Sequence, residues 1–309
     1  MFAPYAPMNP TLERDDMRYW RMQPDERLRP WVICYFLVEP IGQSPPGERV
    51  SPESQQQLLL PDGYSEIVFN LDAAFERWSI GQPDARAVMS SSYLIGGRSH
   101  SVLTRNRGAV RLAGAKLDSR LLRAVIGIPL NEFRDSTLTL SEINARPLLD
   151  LDESIRGARS PEDIKADLDR FFLRTLGASS PEDPVVGELL ERIQLSRGTL
   201  SIMKWLRAER IDSRTLERRF CTCMGMMPKQ YARIVRFKHS YHRLMFAERG
   251  TAARGTHLDP YYDQSHFIRE FRQFLGAAPS ARLSGRMLPV TTVSDHLLQG
   301  EFEPGRDRT

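Results

Sequence analysis

The sequence has little cysteine and no long apolar run. Three cysteines in 309 residues do not make a disulfide framework, and none of them stands in a Cys-x-x-Cys spacing. No stretch reaches the roughly 18 apolar residues that a membrane helix needs, so the sequence predicts no association with a membrane. The first 16 residues contain no apolar segment behind basic residues. We therefore expect a cytoplasmic protein.

Signatures of common enzyme classes are also missing. A metal-dependent oxygenase in a β-barrel needs clustered histidine and carboxylate ligands, but the N-terminal half has only His100. No Gly-x-Ser-x-Gly elbow motivates a Ser/His/Asp triad. Cys221 and Cys223 would diverge on a helix, which disfavours a metal or redox site there, and Cys34 lies in an apolar run typical of a buried thiol. The sequence predicts no enzyme, no metal and no cofactor.

The first half of the chain has the pattern of a compact β-structure. Its short apolar or alternating segments are bounded by Gly, Pro, Asp and Ser clusters, as β-strands are. The predicted strands are 31–38, 57–60, 65–71, 75–80, 93–95 and 109–117. Pro61, Asp62 and Gly63 form a turn between two of them, because proline pre-sets its φ and glycine accepts a positive φ. We expect an antiparallel sheet or barrel over about 30–117.

The pattern becomes helical after Asp118. Apolar spacing predicts a short helix at 121–126, and Pro161 followed by two acids predicts the start of another, over 161–176. Small residues and two prolines at 177–184 predict a linker. The predicted fold class is α+β, divided into a β-rich sensing or dimerisation domain at 1–145, a helical connector at 146–184, an all-α domain at 185–288 and a disordered tail at 289–309.

Charge separates the two ends of the chain. Residues 181–290 carry 19 Lys and Arg against 11 Asp and Glu, a net charge of +8, whereas the remainder has a net charge of −4. A basic region of this kind favours a nucleic-acid partner, although a solvated helix surface also accounts for it.

Two segments of the basic region follow the same plan. Residues 213–220 and 263–271 each predict a helix with one apolar face and one face of arginine and other polar groups. Between them, residues 229–248 contain no Gly or Pro and predict a single helix. Its 20 residues span roughly 30 Å at about 1.5 Å per residue. This length is close to the ~34 Å between successive major grooves on one face of DNA.

Residues 200–283 resemble the DNA-binding domain of the AraC/XylS family of transcription regulators. The resemblance rests on several spaced motifs: Leu216-Glu-Arg-Arg-Phe220, Gly225 with Pro228, Tyr231 with Arg236-Phe237, Tyr261-Tyr-Asp-Gln-Ser-His-Phe267, Phe271, Gly276 and Pro279. It implies seven helices containing two helix-turn-helix units joined by a long helix, with the two recognition helices entering successive major grooves.

The N-terminal half resembles, more loosely, the β-rich domain of one branch of this family. The matching positions are Leu60-Pro-Asp-Gly63, Glu66-Ile-Val-Phe69, Gly96-Gly97 and residues 114–143. This resemblance implies sensing or dimerisation. If the sheet closes into a barrel, Glu66, Arg98 and His100 are candidates to line an effector pocket; a carboxylate bracing a turn and a solvated arginine are the alternatives.

The resemblance assigns the base-reading positions. In the first unit they are Arg214, Glu217 and Arg218, and in the second they are Gln264, Ser265, His266 and Arg269. Arginine can bind guanine O6 and N7 with two hydrogen bonds, worth about 1–3 kcal/mol of discrimination, and glutamate can accept from cytosine N4. A phosphate contact, or pairing of Arg218 with Glu217, is the alternative for these side chains.

Two turns depart from the family pattern. Arg210 and Pro260 stand where the first and second units have glycine, and proline cannot adopt a positive φ. Gly255 also weakens the supporting helix of the second unit. We therefore expect the first unit to dominate binding.

The predicted function is sequence-specific transcription regulation, as an activator or a repressor. The predicted partners are double-stranded DNA, a small-molecule effector, RNA polymerase and a second copy of the chain. One alternative is a non-enzymatic interaction protein whose DNA-binding module has decayed. A barrel enzyme fused to a DNA-tethering domain is the other alternative.

The expected difference between the two units in their contribution to DNA binding gives a testable prediction. Arg218→Ala is expected to abolish site-specific binding, while Arg269→Ala weakens it less, because only the first unit keeps a well-formed support. A binding titration of both variants measures the difference. Equal losses of affinity would contradict it.

Overall fold

The computed structural model describes residues 12–14, 17–41, 56–82, 84–106, 110–246 and 264–279. Within them the chain is α+β, as predicted, with a β-rich N-terminal part and a helical C-terminal part. The strands are β1 (Leu12–Arg14), β2 (Met17–Met22), β3 (Val32–Pro40), β4 (Gln56–Leu59), β5 (Ser65–Asn70), β6 (Phe75–Ser79), β7 (Ala87–Met89), β8 (Tyr93–Ile95), β9 (Val102–Asn106), β10 (Leu112–Leu117) and β11 (Thr137–Thr139).

Helices follow the strands for most of the remaining chain. They are α1 (Ser119–Ile126), α2 (Leu140–Ile143), α3 (Arg146–Gly157), α4 (Pro161–Ala178), α5 (Pro184–Leu195), α6 (Ile202–Ala208), α7 (Ser213–Met224), α8 (Pro228–Phe246) and α9 (Gln264–Leu275). None of these described helices combines the length and apolar content needed to span a bilayer.

The strands form two antiparallel sheets. The larger sheet has the order β1-β2-β3-β10-β5-β8-β11, and the smaller has the order β4-β9-β6-β7. Successive side chains of a strand point to opposite faces of its sheet. In β3, Tyr35 and Leu37 accordingly pack with α1, α3 and α4, whereas Phe36 faces a second apolar cluster between the sheets.

The smaller sheet separates the space between the sheets from the C-terminal helices. In β4, Leu58 packs into the core of α5 to α9, while its neighbours Gln57 and Leu59 line a cavity on the other side. In β9, Leu103 packs against that same helical core, and Thr104 lines the cavity. Strands β4 and β9 therefore form a single layer between the cavity and the helices. We call these two strands the shared wall.

Local sequence explains where the helices begin and end. The Ser160 hydroxyl accepts from the Asp163 amide at 3.1 Å at the start of α4, where Pro161 and two acids also favour an N-terminus. The Asp183 side chain accepts from the Val186 amide at the start of α5. The predicted linker is shorter than expected, since α4 continues to Ala178 before it.

The six predicted strands and the helices at 121–126, 161–176 and 213–220 are confirmed, with shifts of a few residues at their ends. Gly63 has the predicted positive φ, at 85°. Five strands were not predicted: β1, β2, β7, β9 and β11. Three of these are only three residues long, and β9 (VLTRN) mixes polar and apolar residues because its two faces meet different surroundings. The predicted tail, Gly255 and Pro260 lie outside the described residues.

The positive φ predicted for Arg210 is present, at 55°. A left-handed conformation costs a non-glycine residue about 1–2 kcal/mol, and glycine avoids this cost. Glycine also loses more conformational entropy on folding, which offsets part of the gain in stability. We expect Arg210→Gly to leave stability unchanged or raise it by up to about 1 kcal/mol, measured by urea unfolding. The control is Arg207→Gly in α6, also exposed, which should lose about 1 kcal/mol. Equal losses in the two variants would show that the turn is unstrained.

Candidate nucleic-acid interface

Helices α6 and α7 with the turn between them form the first helix-turn-helix unit. The Asp212 carboxylate caps α7 by accepting from the Thr215 amide at 2.7 Å, and Gly225 ends the helix with a φ of 70°. Arg214 and Arg218 are exposed on the outer side of α7, and Glu217 is partly exposed. The three positions assigned to base reading in this unit therefore reach the surface.

The inner side of α7 is fixed by packing and by one ion pair. Leu216 and Phe220 are almost fully buried, as expected, and the Phe220 ring meets the Tyr231 ring of α8 edge-on at 5.9 Å between centroids. Arg219 donates to the Asp183 carboxylate at 2.7 and 3.1 Å, which joins α7 to the start of α5. These contacts hold the outer arginines on a rigid helix.

Helix α9 is the described part of the second unit. Its buried face carries Phe267, Phe271 and Phe274, while Ser265 and Arg269 are exposed. His266 is partly exposed, with its Nε2 3.7 Å from Glu270 Oε1. The side chain of Gln264 and the turn of this unit lie outside the described part of the chain.

Glu270 is a buried, ion-paired residue of the candidate site that the sequence analysis missed. It is buried and accepts from Arg233 Nε at 2.8 Å and from Arg236 Nη2 at 2.9 Å, both of α8. The available signal was its spacing, since Glu270 lies three residues after Phe267 and four before Phe274, on the inner side of the helix. A carboxylate on an apolar helix face implies buried cationic partners. Glu270 therefore fixes the second recognition helix to the long helix.

Helices α7 and α9 share α8 as their support. Phe237 of α8 contacts the Phe271 ring at 5.9 Å and the Phe274 ring at 4.5 Å, whereas α7 is attached at Tyr231. Six residues separate the two attachment points, or about 9 Å along the helix. The distance between the reading faces thus depends on the directions of α7 and α9 as well as on the length of α8.

The end of α7 lies against the β-rich part of the chain. A Cβ added to Gly97 would come within 2.5 Å of the Met224 carbonyl oxygen, and one added to Gly225 would come within 3.1 Å of the Leu130 carbonyl oxygen. A Cβ on Gly63 would meet the Tyr231 ring at 2.6 Å. Glycine at positions 97 and 225 lets the end of α7 pack closely against the β-rich part, and glycine at position 63 leaves room for the Tyr231 ring of α8.

A cavity of about 110 Å³ lies between the two sheets. Its walls are mainly aromatic and aliphatic, with a few polar groups. The polar side chains that line it are Gln57, Glu66, Thr104, Asn106 and Lys116. This combination suits a small, largely apolar ligand that carries a polar group.

The three predicted effector residues are not gathered at this cavity. Glu66 lines it, whereas Arg98 and His100 are not among its lining residues. Arg98 is buried and donates to Glu66 Oε1 at 3.1 Å, so the alternative of a solvated arginine is wrong. Lys116, which sequence analysis passed over, lies opposite Glu66 across β10 and β5.

Lys116 is paired with Asp62, and both side chains are buried. Burial acts to raise the pKa of Asp62, but the charges of Lys116, Arg98 and Lys238 outweigh it and lower that pKa. Lys238 belongs to α8, and its Nζ lies 5.0 Å from the centre of the Tyr64 ring. Charges of the cavity and of the long helix therefore act on the same carboxylate.

His100 lies in a separate cluster. Its Nε2 is 2.9 Å from Ser79 Oγ, and its Nδ1 is 3.2 Å from Asp135 Oδ1. Burial acts to raise the pKa of Asp135, but hydrogen bonds from His100 and Ser99 outweigh it and lower that pKa to about 2. The Asp135 carboxylate is therefore ionised at neutral pH.

The two cysteines of α7 point in different directions. Cys221 Sγ is 3.1 Å from Met227 Sδ, whereas Cys223 is buried in the helical core. Burial raises the pKa of both thiols. Among the residues that the structure describes, no group of three or more His, Cys, Asp or Glu side chains could hold a metal ion.

Comparison with known proteins gives similarities without a close relative. A family model described as a domain of unknown function, DUF6597, matches residues 20–139. No curated protein matches the sequence.

Solved structures of ToxT from Vibrio cholerae match over most of the chain. The structure from strain O395 is 11% identical, covers 87% of this chain and 96% of its own, and has a TM-score of 0.39. The structure of an apo ToxT variant from strain SCE256 is 11% identical, covers 89% of this chain and 99% of its own, and has a TM-score of 0.41. The structure of ToxT with a bound unsaturated fatty acid is 13% identical, covers 76% of this chain and 94% of its own, and has a TM-score of 0.39.

The position of Glu270 predicts how α9 is held. Glu270→Ala should lower the free energy of unfolding by about 1–3 kcal/mol, because two arginines lose a shared buried acceptor. Amide hydrogen exchange should accelerate in α9 and remain unchanged in α7. Arg272→Ala, an exposed change on the same helix, is the control and should stay within about 0.5 kcal/mol. Unchanged exchange in α9 would mean that aromatic packing alone holds the helix.

Proposed function

We propose that the chain is a sequence-specific, DNA-binding transcription regulator of the AraC/XylS type, which reads double-stranded DNA with α7 and α9. One observation carries the proposal. Two helices expose arginine outward, at Arg218 and Arg269, while their aromatic inner faces pack on one long helix. This shared support holds α7 and α9 rigidly, so that the outer faces of both helices can contact one DNA duplex.

The chemistry of the outer faces supports base reading. Arg214 and Arg218 are one turn apart on α7, so both can enter one major groove, where arginine recognises guanine. Glu217 lies between them and can accept from cytosine N4. On α9, Arg269 takes the corresponding role, with Gln264, Ser265 and His266 as its neighbours near the start of the helix.

The cavity supports control by a small-molecule effector. A ligand between the sheets would touch Gln57 and Leu59 of the shared wall, whose intervening residue Leu58 packs into the helical core. It would also touch Lys116, the partner of Asp62. An effector shifts DNA affinity only as far as it distinguishes the binding-competent arrangement from the other one. Glu66 remains in this proposed site, and Arg98 acts on it through Glu66.

The remaining partners and the cellular location stay predictions. A homodimer, contact with RNA polymerase and a cytoplasmic location are consistent with a regulator of this type. The rival proposal is an interaction protein with a decayed second unit. The burial of Glu270 against two arginines of α8 favours a retained second unit, because a decayed surface would have no need of this ion pair.

The test is a titration of the purified protein against DNA from its own upstream region, with scrambled DNA as competitor, at two salt concentrations. A preference of roughly a thousandfold or more that persists at the higher salt is expected of specific recognition. Parallel loss of affinity for both DNAs would favour the rival, because phosphate contacts alone are salt-sensitive and independent of sequence.

Variants can distinguish base reading by α7 from a general effect of its positive charge on DNA affinity. Arg214→Ala and Arg218→Ala should each lower the preference for the specific DNA. Arg207→Ala removes an exposed arginine from α6 and is the matched control. It should reduce affinity for both DNAs equally, if at all. The same loss of preference in all three variants would remove the assignment of α7 as the reading helix.

A further inference from the structure

Ser79, His100 and Asp135 come from three separate segments and form one hydrogen-bonded series. Ser79 ends β6, His100 precedes β9, and Asp135 lies between the 3₁₀ turn at 130–133 and β11. His100 contacts Ser79 Oγ with Nε2 at 2.9 Å and Asp135 Oδ1 with Nδ1 at 3.2 Å. The series uses both ring nitrogens of the histidine, one for each partner.

The charge of Asp135 determines which nitrogen carries the proton. An ionised carboxylate only accepts hydrogen bonds, so in neutral His100 the proton must be on Nδ1. Nε2 then has a free lone pair and accepts from the Ser79 hydroxyl. This is the tautomer in which an imidazole can remove a proton from serine, and the Asp–His–Ser order is that of a serine nucleophile with its base.

The surroundings hold Asp135 in place. Its carboxylate accepts from the Ser99 amide at 2.6 Å and from the Ser99 hydroxyl at 2.7 Å. Its backbone adopts a left-handed φ of 59°, a conformation that aspartate takes more often than most non-glycine residues. The two hydrogen bonds from Ser99 thus help to direct the Asp135 carboxylate at His100.

The series is open to solvent at its reactive end. His100 has 34% of its side chain exposed, and Ser79 is partly exposed at the point where β6 ends in a turn. This exposure allows an electrophile from solution to reach the series.

We propose that Ser79 is an activated nucleophile that takes an acyl group from an activated ester or thioester. Ser79 Oγ forms a bond to the acyl carbon while His100 Nε2 takes the hydroxyl proton. The bond from that carbon to the leaving oxygen or sulfur then breaks, and the leaving group departs with the bonding pair and receives the proton from His100. The products are acyl-Ser79, the free alcohol or thiol, and neutral His100. Asp135 is a positioning residue, because it acts through His100.

This inference is independent of DNA binding. Neither the serine nor the aspartate belongs to the reading faces or lines the cavity. Failure of one proposal therefore leaves the other intact.

The test uses the full-length protein and p-nitrophenyl acetate. We expect a burst of nitrophenolate of about one equivalent, as for formation of an acyl-enzyme, and peptide mass spectrometry should locate the acetyl group on Ser79. Ser79→Ala should lose the burst, and His100→Gln should slow acetylation by about 10²–10⁴-fold. Exposed Ser91 is an internal control within each digest.

A second readout keeps the result independent of folding defects. Selective ¹⁵N-histidine spectra of the native protein should show His100 protonated at Nδ1, and Asp135→Asn should shift the population toward the Nε2-protonated tautomer while slowing acetylation. Thermal melts establish that each variant is folded. The proposal is overturned if Ser79 is acetylated no faster than in urea, if Ser91 reacts equally, or if folded His100→Gln reacts at the native rate.

Discussion

The shared wall formed by β4 and β9 is the constraint on which the arrangement of the molecule depends. Side chains of a strand alternate between its two faces, so neighbouring residues of β4 serve two cores. Leu58 belongs to the helical core, and Leu59 belongs to the cavity. A shift of one residue in the register of β4 would exchange these two faces and disrupt both cores at once. The β-rich part and the recognition helices are therefore parts of one packing arrangement.

Glycines complete this arrangement on the side of α7. Close packing at Gly97 leaves no room for a Cβ beside the Met224 carbonyl, so the end of the recognition helix lies directly on the backbone of the β-rich part. Contacts between backbones deform less than contacts between flexible side chains. A change in the spacing of the sheets would therefore act on the end of α7, which gives the proposed effector a mechanical route to the proposed DNA-reading face.

Much of the fold followed from the sequence because its signals were local. Alternating apolar residues predicted the inner strands, the Pro-Asp-Gly turn was predicted from its residue types, and the positive φ of Arg210 was implied by the family resemblance. The missed strands are short or carry polar residues on a face that only tertiary packing explains. Only some features of the candidate site were predicted, for the same reason. Outward arginines follow from helical periodicity, whereas the pairing of Glu270 with α8, or of Asp62 with Lys116, joins residues distant in sequence.

The predicted difference between the two proposed reading units has a structural counterpart in their attachments. Helix α7 is held by Arg219 to the start of α5, by Phe220 to α8 and by Gly97 to the sheets, so three different elements fix it. Among the described residues, helix α9 is attached to α8 through Glu270 and its aromatic face, with a further contact where Gly276 meets Ile80. A helix that is already ordered loses less conformational entropy when it binds. We therefore expect α7 to contribute more to affinity than α9, even with equivalent arginines on both outer faces, because more of the described elements hold it in place.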